Sequence, residues 1–177
     1  CSSDLLRGQN NVQGSCDMGS FPHELSGYRH VSDDATREMF QEMWGAKLQD
    51  EPGLRIPNML DAAIDGRFHA IFVQGEDIAQ SDPNTLHVEQ ALKSMELVIV
   101  QDLFINETAK LAHVFLPGTS FLEKDGTFTN AERRINRVRP AMRPQTGKHE
   151  WEAVCDLAKA MGFEMHWNSS KIGRAHV

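Results

Sequence analysis

Short apolar segments alternate with helical patterns between residues 54 and 116. Three apolar runs predict strands, at residues 69–74, 97–101 and 113–116. Apolar positions at helical spacing predict helices over residues 56–64, 84–95 and 106–112. Apolar strands that alternate with helices predict a parallel sheet covered on both faces. The expected fold class is therefore α/β, with a parallel sheet flanked by helices.

The flanking regions are more polar. Residues 1–30, rich in Gly, Asn, Gln and Ser, predict a loop. A helix is expected between residues 32 and 48, with Ser32 or Asp33 as its N-cap and an apolar stripe in the core, formed by Ala35, Met39, Met43 and Trp44. Turn signals before an alternating segment at 133–138 predict a short β-ribbon. A last helix is expected to end at Gly162, with one apolar face formed by Trp151, Val154, Leu157, Ala158 and Met161.

The composition of the chain excludes several classes of protein. The chain has 177 residues, of which 40% are hydrophobic and 24% charged, as in an ordinary globular domain. Its net charge of -7 argues against nucleic acid as a partner. Cys1, Cys16 and Cys155 are too scattered for a disulfide framework, which favours a reducing cytoplasm. No apolar run is long enough to span a bilayer, and no secretion signal is evident, so a cytoplasmic location is expected.

Polar residues follow the first two predicted strands. Gly75, Glu76 and Asp77 come after the first, and Gln101 and Asp102 follow the apolar run of the second, which stops at Val100. Ligands of parallel sheets bind beyond the carboxyl ends of the strands. Carboxylates there can accept the paired N–H groups of a guanine edge or hold ribose hydroxyls, which suits a guanine nucleotide. The alternative is that both aspartates are ordinary turn or N-cap residues.

The opening polar loop offers a second candidate site. Gln9, Asn10, Asn11 and Gln13 supply paired donors and acceptors between glycines, a composition suited to a flat heterocycle. A solvated loop is the alternative. Arg7 lies beside them, and its guanidinium could hold a carboxylate in a bidentate manner, although it could equally be a surface arginine. The histidines show no metal-ligand spacing.

Several motifs together resemble the molybdopterin oxidoreductases, and they occur in the same order. They are Arg7-Gly8-Gln9-Asn10-Asn11-Val12-Gln13-Gly14, Cys16-Asp17-Met18-Gly19, Gly75-Glu76-Asp77, Leu97-Val98-Ile99-Val100-Gln101-Asp102, and Leu116-Pro117 with residues 123–134. Within that group the first two motifs, with Pro22-His23-Glu24 and Gly27-Tyr28, resemble the catalytic (alpha) subunit of cytoplasmic, NAD-linked formate dehydrogenases.

The resemblance implies a bis(molybdopterin guanine dinucleotide) cofactor with molybdenum or tungsten, which oxidises formate to carbon dioxide. Electrons would leave through a 4Fe-4S cluster toward iron-sulfur and flavin subunits of an NAD-linked complex. Arg7 would orient formate beside the metal, with Gln9 near it. Cofactor-binding residues carried over from the family are Gly8, Asn10, Asn11, Gly75, Glu76, Asp77, Gln101, Asp102, Asn130 and Arg133.

None of the three cysteines matches the family's metal ligand or cluster cysteines, which lie upstream in the family. The chain is therefore expected to be an incomplete piece of the catalytic subunit and inactive alone. The alternatives are another molybdopterin oxidoreductase, such as a nitrate reductase-like or complex I subunit-like protein, and a stand-alone nucleotide-binding module.

The expected organisation has four parts. Residues 1–53 form a cofactor-facing loop and helix, and residues 54–139 form the parallel α/β cofactor-binding domain with the ribbon. Residues 140–170 form a linker and the C-terminal helix. Residues 171–177 resemble a translated sequencing adaptor and are expected to be a non-native tail.

Overall fold

The computed structural model describes residues 9–165 and Trp167. Arg7, Gly8 and the predicted tail at 171–177 lie outside the described residues. The described chain forms two compact units, one with residues 9–55 and Thr127–Arg137, the other with Ile56–Gly126 and the residues from Val138 onward. These are called unit 1 and unit 2.

The elements follow one another in a mixed α/β order. They are α1 (Val12–Asp17), β1 (Glu24–Leu25), β2 (Arg29–His30), α2 (Asp34–Trp44), α3 (Ile56–Ile64), β3 (Ala70–Gln74), α4 (Ile78–Ser81), α5 (Thr85–Ser94), β4 (Leu97–Asp102), a 3₁₀ helix (Ala109–Leu111), β5 (Val114–Pro117), β6 (Gly126–Thr129), β7 (Ile135–Val138) and α6 (Glu150–Ala160). No described helix is long and apolar enough to cross a membrane.

Unit 2 contains the predicted parallel sheet. Its strands lie in the order β3-β4-β5, and both neighbouring pairs are parallel. Ala70 is in register with Leu97, and Ile99 with Val114. The three predicted strands and their parallel pairing are confirmed, because continuous apolar segments between helices have few other arrangements available.

One face of this sheet carries the core. Val73 and Val100, which are in register, are buried together with Val98. Leu60 of α3 and Leu92 of α5 belong to the same buried cluster. The opposite face remains partly open, since Phe72, Leu97 and Val114 are 37%, 38% and 41% exposed. The described residues therefore cover this second face only in part, while the predicted α/β fold, a parallel sheet with flanking helices, is confirmed.

The helix N-caps agree with the sequence prediction better than the burial of the predicted apolar stripes does. Asp33 caps α2 through Thr36 N at 2.8 Å, and Asn84 caps α5 through His87 N at 3.3 Å. The stripe of α2 does not enter a core, because Met43 is 67% and Trp44 50% exposed. Unit 1 buries few described apolar side chains, Cys16 and Phe40, so it has little core for the stripe to enter.

Three further predictions need correction. Residues 12–17 form helix α1 instead of a loop. Residues 106–112 contain only a three-residue 3₁₀ helix. In α6 the buried residue is Cys155, whereas Leu157 and Met161 of the predicted face are exposed. In each case a short or weakly apolar segment takes its structure from tertiary contacts that local pattern does not contain.

Candidate functional site

The carboxyl ends of the three parallel strands form one edge of unit 2, called here the carboxyl edge. Gly75 N donates to Gln101 O at 2.9 Å, and Gly118 N donates to Asp102 O at 2.8 Å. The turns after β3 and β5 are thus both bonded to the end of β4. The structure brings together the candidate residues that the sequence placed after two separate strands.

Asp77 uses its carboxylate to hold the loop that follows β4. Its Oδ1 accepts hydrogen bonds from Thr108 Oγ1 at 2.6 Å and from Thr108 N at 3.0 Å. Thr108 Oγ1 in turn accepts from Ala79 N at 3.0 Å. Thr108 is completely buried. Asp77 therefore links the start of α4 to a buried threonine that lies 31 residues further along the chain.

Asp102 orders the same loop from its other end. Its Oδ1 accepts from Leu103 N at 2.6 Å, and its Oδ2 accepts from Asn106 Nδ2 at 2.9 Å. Asn106 Oδ1 accepts from Ala109 N at 2.8 Å, which caps the 3₁₀ helix. Each Asp102 oxygen thus already has one partner within the chain. A ligand would have to use the remaining lone pairs of that carboxylate.

The other three candidates of this edge differ in their exposure. Gln101 is only 2% exposed, and its Oε1 accepts from Gln74 Nε2 at 2.8 Å. Glu76 is half-buried, and Gly75 is exposed with a left-handed φ of 66°. A Cβ at Gly75 would meet nothing within 4 Å. Gly75 thus leaves open space at the turn, while Gln101 lies inside the sheet.

Two glutamates hold the segment that follows β5. Glu123 is buried and accepts from Ser120 N and Gln145 N, each at 2.7 Å. These backbone N–H groups, that of Gln145 first, lower the pKa of Glu123. Burial raises the pKa of Glu150, but hydrogen bonds from Lys124 and Thr119 outweigh it and leave the pKa lowered. Both carboxylates therefore favour the charged form in the folded protein.

We expect acid to destabilise unit 2 through these two glutamates. A folded-state pKa below the ordinary 4.5 contributes stability above that pH, and the contribution is lost as the pH falls further. The unfolding temperature should therefore drop as the pH falls from about 5 to about 3. Glu123→Gln should show a smaller drop than the wild type over the same range. Equal pH dependence in both proteins would contradict the assignment.

A surface cavity of about 580 Å³ lies beside α4, α5 and the 3₁₀ helix. Glu107 and Lys110 in its wall form an ion pair with each other. None of the sequence-predicted site residues lines this cavity. It is therefore not the site that the sequence indicates.

In unit 1, the loop predicted to be polar is bonded to the ribbon. Asn11 occupies the N-cap position of α1 with a left-handed φ of 60°. Its Oδ1 accepts from Thr129 N at 3.0 Å, a residue of β6 that is 118 positions away. Asn10 and Gln9 beside it are exposed. The structure therefore joins the opening motif to the motif that precedes Arg133.

Gly14 leaves the space in which the Asn11 side chain lies. A Cβ at Gly14 would stand 2.2 Å from Asn11 Oδ1. We expect Gly14→Ala to displace that side chain and leave Thr129 N unpaired. The lost hydrogen bond should outweigh the better helix propensity of alanine, so that the free energy of unfolding falls by about 1 kcal/mol. Thermal unfolding measures this. Gly126→Ala, where a Cβ meets nothing within 4 Å, is the control and should change stability little.

A second group of polar residues lies beside that loop. Gln13 Nε2 donates to Asp17 Oδ1 at 2.7 Å and to Tyr28 Oη at 2.8 Å. Tyr28 Oη donates to the same Asp17 oxygen at 2.7 Å. The sequence indicated Gln13 as a candidate of the opening loop, but it did not assign Asp17 or Tyr28 to the site. The available signal was the four-residue spacing of Gln13 and Asp17, which places both on one side of a helix.

Arg133 lies against this group. Its guanidinium is 5.7 Å from the centre of the Tyr28 ring, a cation–π contact. Asn130 shapes the turn before it, since Asn130 O accepts from Arg133 N at 2.9 Å and Asn130 Oδ1 accepts from Arg134 N at 2.9 Å. Among the described residues, no carboxylate forms an ion pair with Arg133. Its positive charge is thus available to an anion. Asn11, Gln13, Asp17, Tyr28 and Arg133 are called here the unit 1 polar cluster.

Backbone strain concentrates in this cluster. Asn11, Tyr28 and Arg133 each have φ of 60°, and they are the positive-φ residues other than glycine in the described part of the chain. Such conformations cost on the order of 1 to 3 kcal/mol for ordinary residues and persist where the surroundings impose them. Their coincidence with a hydrogen-bonded polar group marks the cluster as a candidate functional site.

The described side chains do not assemble a metal centre. Within residues 9–165 and Trp167, no three His, Cys, Asp or Glu side chains are grouped closely enough to hold a metal ion. Cys16 and Cys155 are both buried free thiols.

Comparison with known proteins gives the family. Residues 3–160 match the sequence profile of the molybdopterin oxidoreductases. The chain is 44% identical over 168 residues to the F420-dependent formate dehydrogenase subunit alpha of Methanocaldococcus jannaschii. It is 42% identical over 168 residues to formate dehydrogenase H of Escherichia coli. Each match covers 94% of this chain and 24% of the relative, so the chain spans about a quarter of their length.

A structural comparison agrees with the match to the family profile. Acetylene hydratase from Pelobacter acetylenicus is structurally similar, with a TM-score of 0.61, over 79% of this chain and 21% of that one. At 24% sequence identity the similarity shows the fold alone. The family resemblance seen in the motifs is confirmed by the profile match over most of the chain. The chain therefore belongs to the molybdopterin oxidoreductase family.

Proposed function

We propose that this chain is part of the catalytic subunit of a formate dehydrogenase that oxidises formate to carbon dioxide. The observation that carries the proposal is the identity of 42% to 44%, over 94% of the chain, to two proteins named formate dehydrogenases. The structural neighbour is named a hydratase. Because one fold can serve different reactions, the sequence relatives, and not the fold, support formate as the substrate.

The cofactor of the proposal is bis(molybdopterin guanine dinucleotide) with molybdenum or tungsten. When bound, it would supply the two-electron redox chemistry. Two observations fit such a group. The Arg133 guanidinium, held over Tyr28 and without a described carboxylate partner, suits a phosphate. The carboxyl edge of a parallel sheet suits a nucleotide.

Different residues would perform different tasks. Arg7, which lies outside the described residues, would orient formate through a bidentate pair, and Gln9 would stand beside it. Gly8, Asn10 and Asn11 would contact the cofactor from the opening loop of unit 1. Further cofactor-binding residues of the proposal are Asn130 and Arg133 in unit 1, and Gly75, Glu76, Asp77, Gln101 and Asp102 in unit 2.

The proposed route for electrons uses a 4Fe-4S cluster outside this chain and iron-sulfur and flavin subunits that deliver electrons to NAD. The Methanocaldococcus jannaschii relative is named as a subunit alpha, which supports a multi-subunit assembly. That relative is named as F420-dependent, so the acceptor differs among relatives. We propose a cytoplasmic location, consistent with the free thiols of Cys16 and Cys155.

The test is formate oxidation by the purified complete enzyme with an artificial dye, followed by NAD and F420 as acceptors. We expect dye-linked turnover of formate and reduction of NAD. Nitrate with reduced dye is the matched control for the nitrate reductase-like alternative. Nitrate reduction without formate oxidation would refute the proposed substrate. Reduction of F420 but not NAD would refute only the proposed acceptor.

A further inference from the structure

Tyr28 lies in a turn whose backbone conformation favours glycine. The turn joins β1 to β2, and both Gly27 and Tyr28 have a positive φ, of 78° and 60°. Hairpin turns normally use Gly, Asn or Asp for such conformations. A bulky residue with a positive φ is strained, and the strain persists where the surroundings impose it. The contacts of the Tyr28 side chain are therefore the feature to explain.

The hydroxyl of Tyr28 is held by two neighbours inside unit 1. Tyr28 Oη accepts from Gln13 Nε2 at 2.8 Å and donates to Asp17 Oδ1 at 2.7 Å. Gln13 Nε2 also donates to Asp17 Oδ1 at 2.7 Å, so the three side chains form a closed triangle of hydrogen bonds. Gln13 is only 7% exposed. The hydroxyl thus donates and accepts within the cluster, and both bonds restrict where the aromatic ring can lie.

The Arg133 side chain lies over the face of that ring. Its guanidinium carbon is 5.7 Å from the centre of the Tyr28 ring, within the range of a cation–π contact. The backbone of Arg133 is held as well, since its N donates to Asn130 O at 2.9 Å and its φ is 60°. A guanidinium that lies over a ring can still donate from the N–H groups at its edge. The ring therefore orients a cation that can still bind an anion.

We propose that Tyr28 is a positioning residue that holds the Arg133 guanidinium for an anionic group of the cofactor, a step that rests on the proposed function above. A flexible arginine loses rotamer freedom when it binds an anion, and an arginine that is already held loses less. A guanidinium can bind two phosphate oxygens at once, which makes its orientation important. Tyr28 acts through Arg133, because its hydroxyl is bonded within the cluster and its ring lies against the guanidinium.

The test compares Tyr28→Phe with Tyr28→Leu in the cofactor-free complete enzyme, with inorganic pyrophosphate as the probe. Both variants lose the hydroxyl, but only phenylalanine keeps a ring for Arg133. Tyr28→Leu should raise the dissociation constant for pyrophosphate roughly fivefold or more, because the cation–π contact and the order of the arginine are both lost. Tyr28→Phe should stay within about twofold of wild type. A merely structural role would weaken binding equally in both variants, and that result would overturn the proposal.

A double-mutant cycle shows whether Tyr28 acts through Arg133. Arg133→Gln alone should raise the same dissociation constant roughly tenfold or more, since a charge-assisted hydrogen bond is lost. Tyr28→Leu added to Arg133→Gln should change it by less than about twofold, because no guanidinium is left to position. A further fivefold loss in the double variant would contradict the role proposed for Tyr28. In the cofactor-loaded enzyme, Tyr28→Leu should release less guanine per polypeptide than Tyr28→Phe.

Trp44→Leu is the matched control, because it removes an aromatic ring that is 50% exposed on α2 of the same unit. It should leave pyrophosphate binding unchanged. Tyr28→Gly is a second variant without the ring, for use if Tyr28→Leu does not fold, because glycine adopts a positive φ without strain. It should weaken pyrophosphate binding as much as Tyr28→Leu.

The outcomes separate the role of Tyr28 from the proposed substrate. Wild-type protein that binds no pyrophosphate, or Tyr28→Leu that binds it as tightly as wild type, would refute the role of Tyr28 even if the enzyme oxidises formate. If the enzyme fails to oxidise formate but Tyr28→Leu loses pyrophosphate and Tyr28→Phe keeps it, the proposed substrate fails and the role of Tyr28 stands.

Discussion

Replacing Arg7 with lysine is expected to lower kcat/KM for formate roughly tenfold or more in the complete enzyme. Lysine keeps the positive charge but loses the planar fork that can hold both carboxylate oxygens at once. A lost charge-assisted hydrogen bond of about 1.5 to 3 kcal/mol accounts for that size. The cofactor content should stay unchanged, because Arg7 is proposed to act on formate. The measurements are formate kinetics and metal and guanine released per polypeptide.

For Asp102→Ala we expect the cofactor content to change, in contrast to Arg7→Lys. Asp102→Ala removes the acceptors of Leu103 N and Asn106 Nδ2 and so releases the loop at the carboxyl edge. We expect less guanine nucleotide per polypeptide in this variant. Equal cofactor loss in Arg7→Lys, or full cofactor content in Asp102→Ala, would show that the two roles are wrongly assigned.

The sheet could be predicted from the sequence because each strand and turn is marked by a pattern within a short segment of the chain. Residues 97–100 of β4 are apolar throughout, and turn residues bound the helices between the strands. The sequence also placed Asp77 and Asp102 at one edge, since parallel strands end on the same side. It could not show that Asp77 binds Thr108, because that bond joins residues 31 positions apart. The turn alternative agrees with the bonds of Asp102, whereas Asp77 stands at the N-cap position of α4 but its side chain binds Thr108 and does not cap that helix. The role of both aspartates toward a cofactor stays a prediction.

Unit 1 was harder to predict because long-range bonds determine its structure. Helix α1 has six residues, and isolated helices of that length are unstable in water. Asn11 receives its hydrogen bond from Thr129, 118 positions away. The left-handed conformations of Tyr28 and Arg133 have no signature in sequence, because such conformations are normally assigned to glycine. Motif resemblance pointed to Arg133, but only the structure adds Tyr28 beneath it.

Exposure was the least predictable property. The helical spacing of Met43 and Trp44 correctly predicted a helix, but not what the stripe would contact. Periodicity identifies which residues share a face, whereas burial also needs a partner surface. The same reason explains why the apolar sheet face with Phe72 and Val114 remains partly open in the described residues.

Asp77→Ala is expected to destabilise unit 2 by about 3 kcal/mol. The substitution removes the acceptor for both Thr108 Oγ1 and Thr108 N, and Thr108 is completely buried. Each buried polar group left without a partner costs roughly 1 to 3 kcal/mol. For a protein of this length, the change corresponds to a fall of roughly 6 to 12 °C in unfolding temperature. Calorimetry or circular dichroism would measure it.

Two further variants distinguish the loss of the hydrogen bonds between Asp77 and Thr108 from a general effect of removing a negative charge. Asp77→Asn keeps a carbonyl oxygen that can accept from Thr108, so it should lose no more than about half as much stability. Asp65→Ala removes an aspartate whose side chain is 59% exposed and paired only at the surface with Arg67, so it should change stability by less than about 1 kcal/mol. If Asp77→Ala were no more harmful than Asp65→Ala, the buried bond to Thr108 would not hold the loop.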